Sequence, residues 1–321
     1  MSVPAIPALL ILGLAMQDPI RGAIAAGAAF SIGFGASRDL KGRRWAAMIA
    51  AAIGMTIAAF VGTLAGERAW VLVPLAALAA GANAAIALFD EDLWWVTLQV
   101  AIALLVAGYY PGPPAAALSR AITVLLGAVV QMAFVIALAR LFPAAAARLP
   151  RGAARPPPER ALLIRHVVRA AICVVLSLSA ALALGLANSY WAPMTAMIVL
   201  KPGLHDTQAR GTARLIGTLA GCAGASVFAI LVHYSPLWLL GGLAMTSGSA
   251  FALQKAHYAT LTSAITATVV LLLSIGHGQV LLNAEHRIVA TLLGGVIALL
   301  VARVAPHRPG GQLSSPDHVG A

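Results

Sequence analysis

Between residues 190 and 214 the chain sets aromatic, hydroxyl and cationic side chains in close succession: Tyr190, Trp191, Thr195, Lys201, Arg210 and Arg214. A carboxylate is held by cations or oriented hydrogen-bond donors, and an aromatic body by apolar or stacking walls. This stretch holds both kinds of group, so the chemistry it suits is the binding of an organic anion. Arg210 and Arg214 are four residues apart and share one face if the stretch is helical. The same cations equally fit a plainer role as anchors at a membrane surface.

A second set recurs. Arg120-Ala-Ile-Thr-Val-Leu-Leu-Gly127 and Arg287-Ile-Val-Ala-Thr-Leu-Leu-Gly294 each open an apolar segment with another arginine near its far end, Arg140 or Arg303. Arg120 and Arg287 read either as a pair of cationic gates at an outer mouth or as arginines that snorkel to the interface. Titratable groups near the membrane are Asp18, Glu285 and His286, the candidates for proton coupling. Asp18 follows a short apolar stretch, and Glu285-His286-Arg287 forms a compact run that a helix-end salt bridge explains equally well. Glu67 beside Arg68 is a weaker candidate, and the other carboxylates fall in loops, linker or tail. No His, Cys, Asp or Glu spacing indicates a metal site, and no phosphate-binding glycine loop occurs. The chain therefore reads as neither an enzyme nor a cofactor carrier.

The elements that position these residues follow from composition. Of 321 residues, 61% are hydrophobic and only 10% charged, against roughly a quarter charged in soluble domains. Mean hydropathy is +0.91. The apolar residues come in long runs without the alternation of a β-barrel, so the fold class is all-α, polytopic and membrane-embedded. The net charge of +11 sits mostly in loops and at segment ends, which argues against nucleic acid as a partner. Cys173 and Cys222 lie within apolar segments.

Hydropathy lays out about twelve transmembrane segments as two six-helix modules. Residues 1–142 hold segments 3–16, 20–36, 44–65, 70–89, 93–110 and 116–142. Residues 161–306 hold 162–187, 190–200, 211–232, 237–253, 258–275 and 282–304. Residues 143–160 read as a Pro/Arg-rich cytoplasmic linker and 307–321 as a disordered tail. An even number of crossings per module makes the repeats parallel. It also puts both termini on the side that holds Arg38, Lys41, Arg43, Arg44, Arg148, Arg151, Arg155, Arg160, Arg165, Arg169, Lys201, Arg210, Arg214, Lys255 and Arg308, which should be cytoplasmic. Residues 190–200 are too few to span and are bounded by Pro193 and by Lys201-Pro202-Gly203. Membranes tolerate such interruptions where protein or a watery cavity satisfies the backbone.

Tyr190, Trp191 and Thr195, followed by a basic loop and by Arg214, Gly217, Thr218 and Gly221, resemble the fusaric acid resistance protein-like family. That family is part of the aromatic acid exporter superfamily, to which aluminium-activated malate transporters are related. The match is sharp over about thirty residues and extends by layout across the second module. In the first, Gly54, Gly62 and Gly66 echo the later glycines only loosely. Larger members resemble two membrane modules each joined to a cytoplasmic helical domain, for which the linker and tail here are too short. The resemblance implies an inner-membrane secondary transporter that exports organic anions, aromatic carboxylic acids above all, driven by the proton gradient. A passive organic-anion channel or uniporter, and a membrane scaffold or lipid-handling protein, stay open as alternatives. The implied partners are the substrate and the lipid bilayer, with a periplasmic adaptor protein or a homo-oligomer left undecided. The glycines read as helix-packing positions.

Overall fold

The computed structural model describes residues 2–143, 157–277 and 280–304. Most of the linker, the tail and Arg148, Arg151, Arg155 and Arg308 lie outside the described residues. Within them the chain forms α1 (Ala5–Ala15), α2 (Pro19–Gly33), α3 (Ala46–Ala65), α4 (Ala69–Ala87), α5 (Glu91–Tyr109) and α6 (Pro114–Leu141). After the linker come α7 (Arg160–Ala183), α8 (Trp191–Val199), α9 (Leu204–Leu231), α10 (Pro236–Ala252), α11 (Tyr258–His277) and α12 (Val280–Val304). Helix starts carry local signals: proline opens α2, α6 and α10, where its missing N–H is not needed. Asp18 and Asp90 cap the free N–H groups of α2 and α5.

Ten helices among the described residues are long and apolar enough to cross a membrane. The other two of the expected segments form short helices. Helix α1 has 11 residues and α8 has 9; at 1.5 Å per residue the second is only about 13 Å long, less than half of a ~30 Å hydrocarbon core. Eight of the nine residues of α8 are buried. The short helix is enclosed by α7, α9 and α12, so its ends meet protein and not lipid. Outward faces carry large apolar side chains, among them Ile53 and Ile57 of α3, Leu126 of α6 and Ile216 of α9.

Inside, small residues decide how closely helices approach. Gly62 and Gly66 of α3 lie against the carbonyls of Leu104 and Gly108 in α5, and Gly217 and Gly221 of α9 against those of Ala259 and Ser263 in α11. Gly127 of α6 faces the Ala25 carbonyl of α2, as Gly294 of α12 faces the Ala192 carbonyl of α8. A Cβ at any of these positions would overlap a backbone oxygen. Lipid supplies no hydrophobic drive between helices, so such close approach is what holds them together. Gly62 and Gly66 echo the later glycines more closely than their sequence context implies, since they make the same kind of contact, whereas Gly54 faces the Val100 side chain. Gly224, by contrast, has open space beside it. Helices α4 against α7, and α2 against α11, join residues before the linker to those after it.

Gly221→Val should destabilise the folded protein by about 1–3 kcal/mol or more, the range for overpacking, while Gly224→Val should stay within about 1 kcal/mol, the spread of intrinsic helix propensity. Thermal unfolding in detergent measures both. Equal melting of the two variants would refute the close α9–α11 contact.

Candidate anion-binding site

The turn from α8 into α9 is pinned before any charge is placed. Lys201 donates its backbone N–H to Thr207 Oγ1 at 3.0 Å, and the Thr207 hydroxyl donates to the Gly203 carbonyl at 2.7 Å. From the neighbouring α7, Arg169 Nη1 donates to the Pro202 carbonyl at 2.9 Å. With that turn held, α9 presents Arg210, Arg214 and Thr218 inward at successive turns.

Each cation then meets an aromatic ring. The Arg210 guanidinium lies 3.3 Å above the Tyr258 ring, and Arg214 Nη1 donates to the same tyrosine's Oη at 3.1 Å. The Arg287 guanidinium lies 3.4 Å above Trp191, and Lys201 Nζ stands 5.4 Å from the Trp94 ring centre. Such stacking is attractive because the ring face is negative. A guanidinium stacked flat keeps its N–H donors at its edge. Those edges are not used up: Arg210 Nε, Arg214 Nε and both Nε and Nη1 of Arg287 have no hydrogen-bond partner. Arg214 is 6% exposed and Arg287 3%.

Hydroxyls stand beside them. Thr218 is one turn along α9 from Arg214, Thr291 one turn along α12 from Arg287, and Thr195 is on α8; all three are buried and their hydroxyls are unpartnered. Arg214 lies close enough to Arg287 to repel it, and Arg210 to repel Lys201. Burial, followed by Arg210, pulls the Lys201 ammonium down to about 8; Tyr258, Asp206 and Glu91 oppose this more weakly. The buried charged residues among those described are His166, Arg169, Arg214 and Arg287, with no Asp or Glu. What the arrangement can do is accept negative charge.

The site residues read from sequence separate into groups. Tyr190, Trp191, Thr195, Lys201, Arg210 and Arg214 converge around α8 and the first half of α9. Arg287 joins them. Arg120 does not: it donates to Thr63 Oγ1 at 3.0 Å, the Ala107 carbonyl at 3.2 Å and the Tyr110 carbonyl, closing the end of α5. A row of rings nevertheless connects the two arginines. Arg120 lies over Tyr110, Tyr110 packs on Tyr109, Tyr109 on Tyr190, and Tyr190 on Trp191 beneath Arg287. Glu285, His286 and Arg287 do not form a compact cluster, because successive residues point about 100° apart around a helix. Glu285 is exposed and lines an open groove with Leu219 and Cys222, while Arg287 is buried. Asp18 accepts from the Arg21 backbone N–H at 3.0 Å and pairs with its side chain at 3.4 Å, which is the work of a helix cap. Among the described residues no group of three or more His, Cys, Asp or Glu could hold a metal ion.

Sequence reading passed over four members of this neighbourhood. Tyr258 carries no signal toward Arg214, because 44 residues separate the two and no local pattern pairs them. Arg169 was counted with the surface cations, yet it is 3% exposed; its place inside an apolar run was the available signal. His166 shares its helix face, and Thr291 lies inside the second repeated segment.

Comparisons with known proteins bear on the second half of the chain. Residues 172–301 match the family model described as fusaric acid resistance protein-like. The inner membrane protein YccS of Escherichia coli (strain K12) is 32% identical over 142 residues, covering 44% of this chain and 19% of YccS. The chain thus spans about a fifth of the length of that curated relative. No solved structure matches.

The sequence contains three lysines, Lys41, Lys201 and Lys255. Amine acylation followed across pH by peptide mass spectrometry should show a midpoint for Lys201 near 8, below the ordinary lysine value of about 10.4. A midpoint at the ordinary value would show that burial and Arg210 leave Lys201 undisturbed.

Proposed function

Since residues 172–301 match the fusaric acid resistance protein-like family model, we propose that the chain is a member of that family and an inner-membrane secondary transporter exporting organic anions, aromatic carboxylic acids above all. The observation that carries this reading is the pair Arg214 and Arg287, both buried and both without a carboxylate partner. A guanidinium keeps its charge, and an uncompensated buried ion costs several kcal/mol. An anionic substrate entering between them would supply the missing charge, accept from the idle N–H and hydroxyl donors, and place an aromatic body against Trp191 and Tyr258. YccS bears the name of an inner membrane protein, which supports that location here.

The transport path runs from Lys201 past Arg210 and Arg214 to Arg287, with Arg120 and Arg287 as an outer gate closed by Tyr110, Tyr109, Tyr190 and Trp191. The basic side carries the termini and faces the cytoplasm, as the placement of Lys41, Arg43 and Arg44 favours. Residues 1–142 and 161–306 form two parallel modules. Supporting this are the repeated pairings: α3 packs on α5 and α6, and α9 on α11 and α12; α2 packs on α6, and α8 on α12. Glycine–carbonyl contacts match between the α3–α5 and α9–α11 pairs, and between the α2–α6 and α8–α12 pairs. The modules are unequal in charge: where α9 carries Arg214, one turn before Gly217 and Thr218, α3 has Ala59 one turn before Gly62 and Thr63.

Proton coupling, with Asp18, Glu285 and His286 as its groups, is the mechanism proposed for export. A second reading, passive flow through an organic-anion channel, draws on the absence of buried Asp and Glu among the described residues. Benzoate flux in proteoliposomes decides between them. Arg287→Gln should lower the initial flux about 10–100-fold, the equivalent of a charge-assisted hydrogen bond worth about 1.5–3 kcal/mol, whereas the exposed Arg140→Gln should stay within about twofold, in the range of surface substitutions. Unchanged flux in Arg287→Gln would overturn the site. No wild-type flux, with lipid retained in the bundle, would point to a lipid-handling scaffold.

Under an imposed pH gradient, Asp18→Asn or Glu285→Gln should abolish the gradient-driven part of the flux while expression is retained. If neither changes it and flux follows voltage alone, the channel reading replaces proton coupling.

A further inference from the structure

A cavity of about 290 Å³ lies between α4, the start of α5, α7 and α8, where the helices before the linker meet those after it. Its walls include Trp94, Met197 and Leu200, and its polar lining is Asn83, His166 and Lys201. None of these residues except Lys201 has a place in the path proposed above. The lining holds no Asp or Glu among the described residues.

The polar groups are arranged to give hydrogen bonds to a guest. Asn83 is buried, and its amide oxygen is already taken by the Thr97 hydroxyl at 3.0 Å, which leaves its NH2 as the group with donors to offer. His166 is 5% exposed and its Nδ1 has no partner. One turn along the same face of α7, Arg169 uses Nη1 on the Pro202 carbonyl and leaves Nε and Nη2 unpartnered. Lys201 is held over Trp94. Buried polar groups are nearly always satisfied, and here the idle His166 Nδ1 belongs to the wall of a space of a size to hold a guest, with Arg169 one turn further along α7 outside that wall. Positive charge, amide and imidazole N–H donors and a flat indole wall together describe a carboxylate attached to a planar body. The volume sits at the lower end of the ~300–1,000 Å³ of ligand pockets, so the guest is a single-ring molecule.

We propose that this cavity is a second anion site, distinct from the one at Arg214 and Arg287, which takes a single-ring monocarboxylate at the basic end of the bundle and delivers it to Arg210. The inference rests on the transport reading for the identity of its guest, and on the cavity's own lining for its existence. Lys201 belongs to both sites: it lines the cavity and is the cation next to Arg210. Transfer between the sites would keep the carboxylate in contact with a cation throughout, which lowers the cost of moving charge through a low-dielectric interior.

The test is site-specific protection in the full chain. In a Cys173→Ala, Cys222→Ala background, Met197→Cys places a thiol in the cavity wall, and its modification by 2-aminoethyl methanethiosulfonate is timed with and without benzoate. Benzoate should slow modification about tenfold, while benzamide, its neutral counterpart, should not. Adding Lys201→Met or His166→Phe should remove the protection; Ala84→Cys, on the α4 wall, provides a second reporter should Met197→Cys fold poorly. Equal protection by benzamide, or none by benzoate at either reporter, would overturn the proposal. Arg287→Gln should leave protection intact; its loss there would mean one site and not two. Protection without any benzoate flux would sink the transport reading and leave this site standing, whereas flux without protection would do the reverse.

Discussion

A guanidinium inside a membrane bundle must be held by something, and Arg287 is held by the face of Trp191. That stack fixes much else. Trp191 can lie beneath the guanidinium only because α8 begins inside the bundle, and α8 begins there because it is nine residues long. The half-length helix leaves its first turn where lipid never reaches, so the polar ends of backbone and side chain meet other protein groups. Gly294 then lets α12 come down onto the Ala192 carbonyl. One missing side chain brings α12 close enough for Arg287, two turns earlier, to reach the indole.

Stacking compensates part of the desolvation but does not neutralise the charge. A cation over an aromatic face gains about 2 kcal/mol or more when desolvated, less than the several kcal/mol that burial takes. The difference is a standing preference for anions, and it increases where cations crowd one another. Arg210, Arg214 and Arg287 form such a crowd, spread over α9 and α12 and screened by Tyr258 and Trp191. Elsewhere the chain settles its charges in the ordinary way: Arg38 pairs with Glu91 and Asp92 at 3.3 Å, and Arg120 gives its protons to the carbonyls that end α5. The contrast between a satisfied Arg120 and an idle Arg287, each opening a near-identical segment, shows that surroundings, not residue type, decide whether a guanidinium keeps unused donors.

Much of this was legible in residue order, and some was not. The interrupted segment after Tyr190 announced the short, buried helix α8. That Arg287 of α12 lies near Arg214 of α9 was not legible, since 73 residues of sequence separate them. Arg169 reads in sequence as a surface cation and Tyr258 carries no signal toward Arg214, because a window of hydropathy records how polar a segment is and not what lies across from it. Glu285 and His286 illustrate the converse. Adjacent in sequence to Arg287, they occupy different surroundings because a helix turns each residue away from the last.

The sequence by itself determined that this chain lives in a membrane, where its helices lie, which family its second half resembles, and that its buried charge is positive. Those are properties of local composition and of order along the chain. Only the tertiary structure decided which cations look inward, which ring each one rests on, and that a cavity opens between α4, α7 and α8. The reason is the close approach of backbones at Gly217, Gly221 and Gly294. That approach sets the rotation of each helix against its neighbour, and a rotation of a few tens of degrees separates an arginine facing lipid from one facing the interior of the bundle.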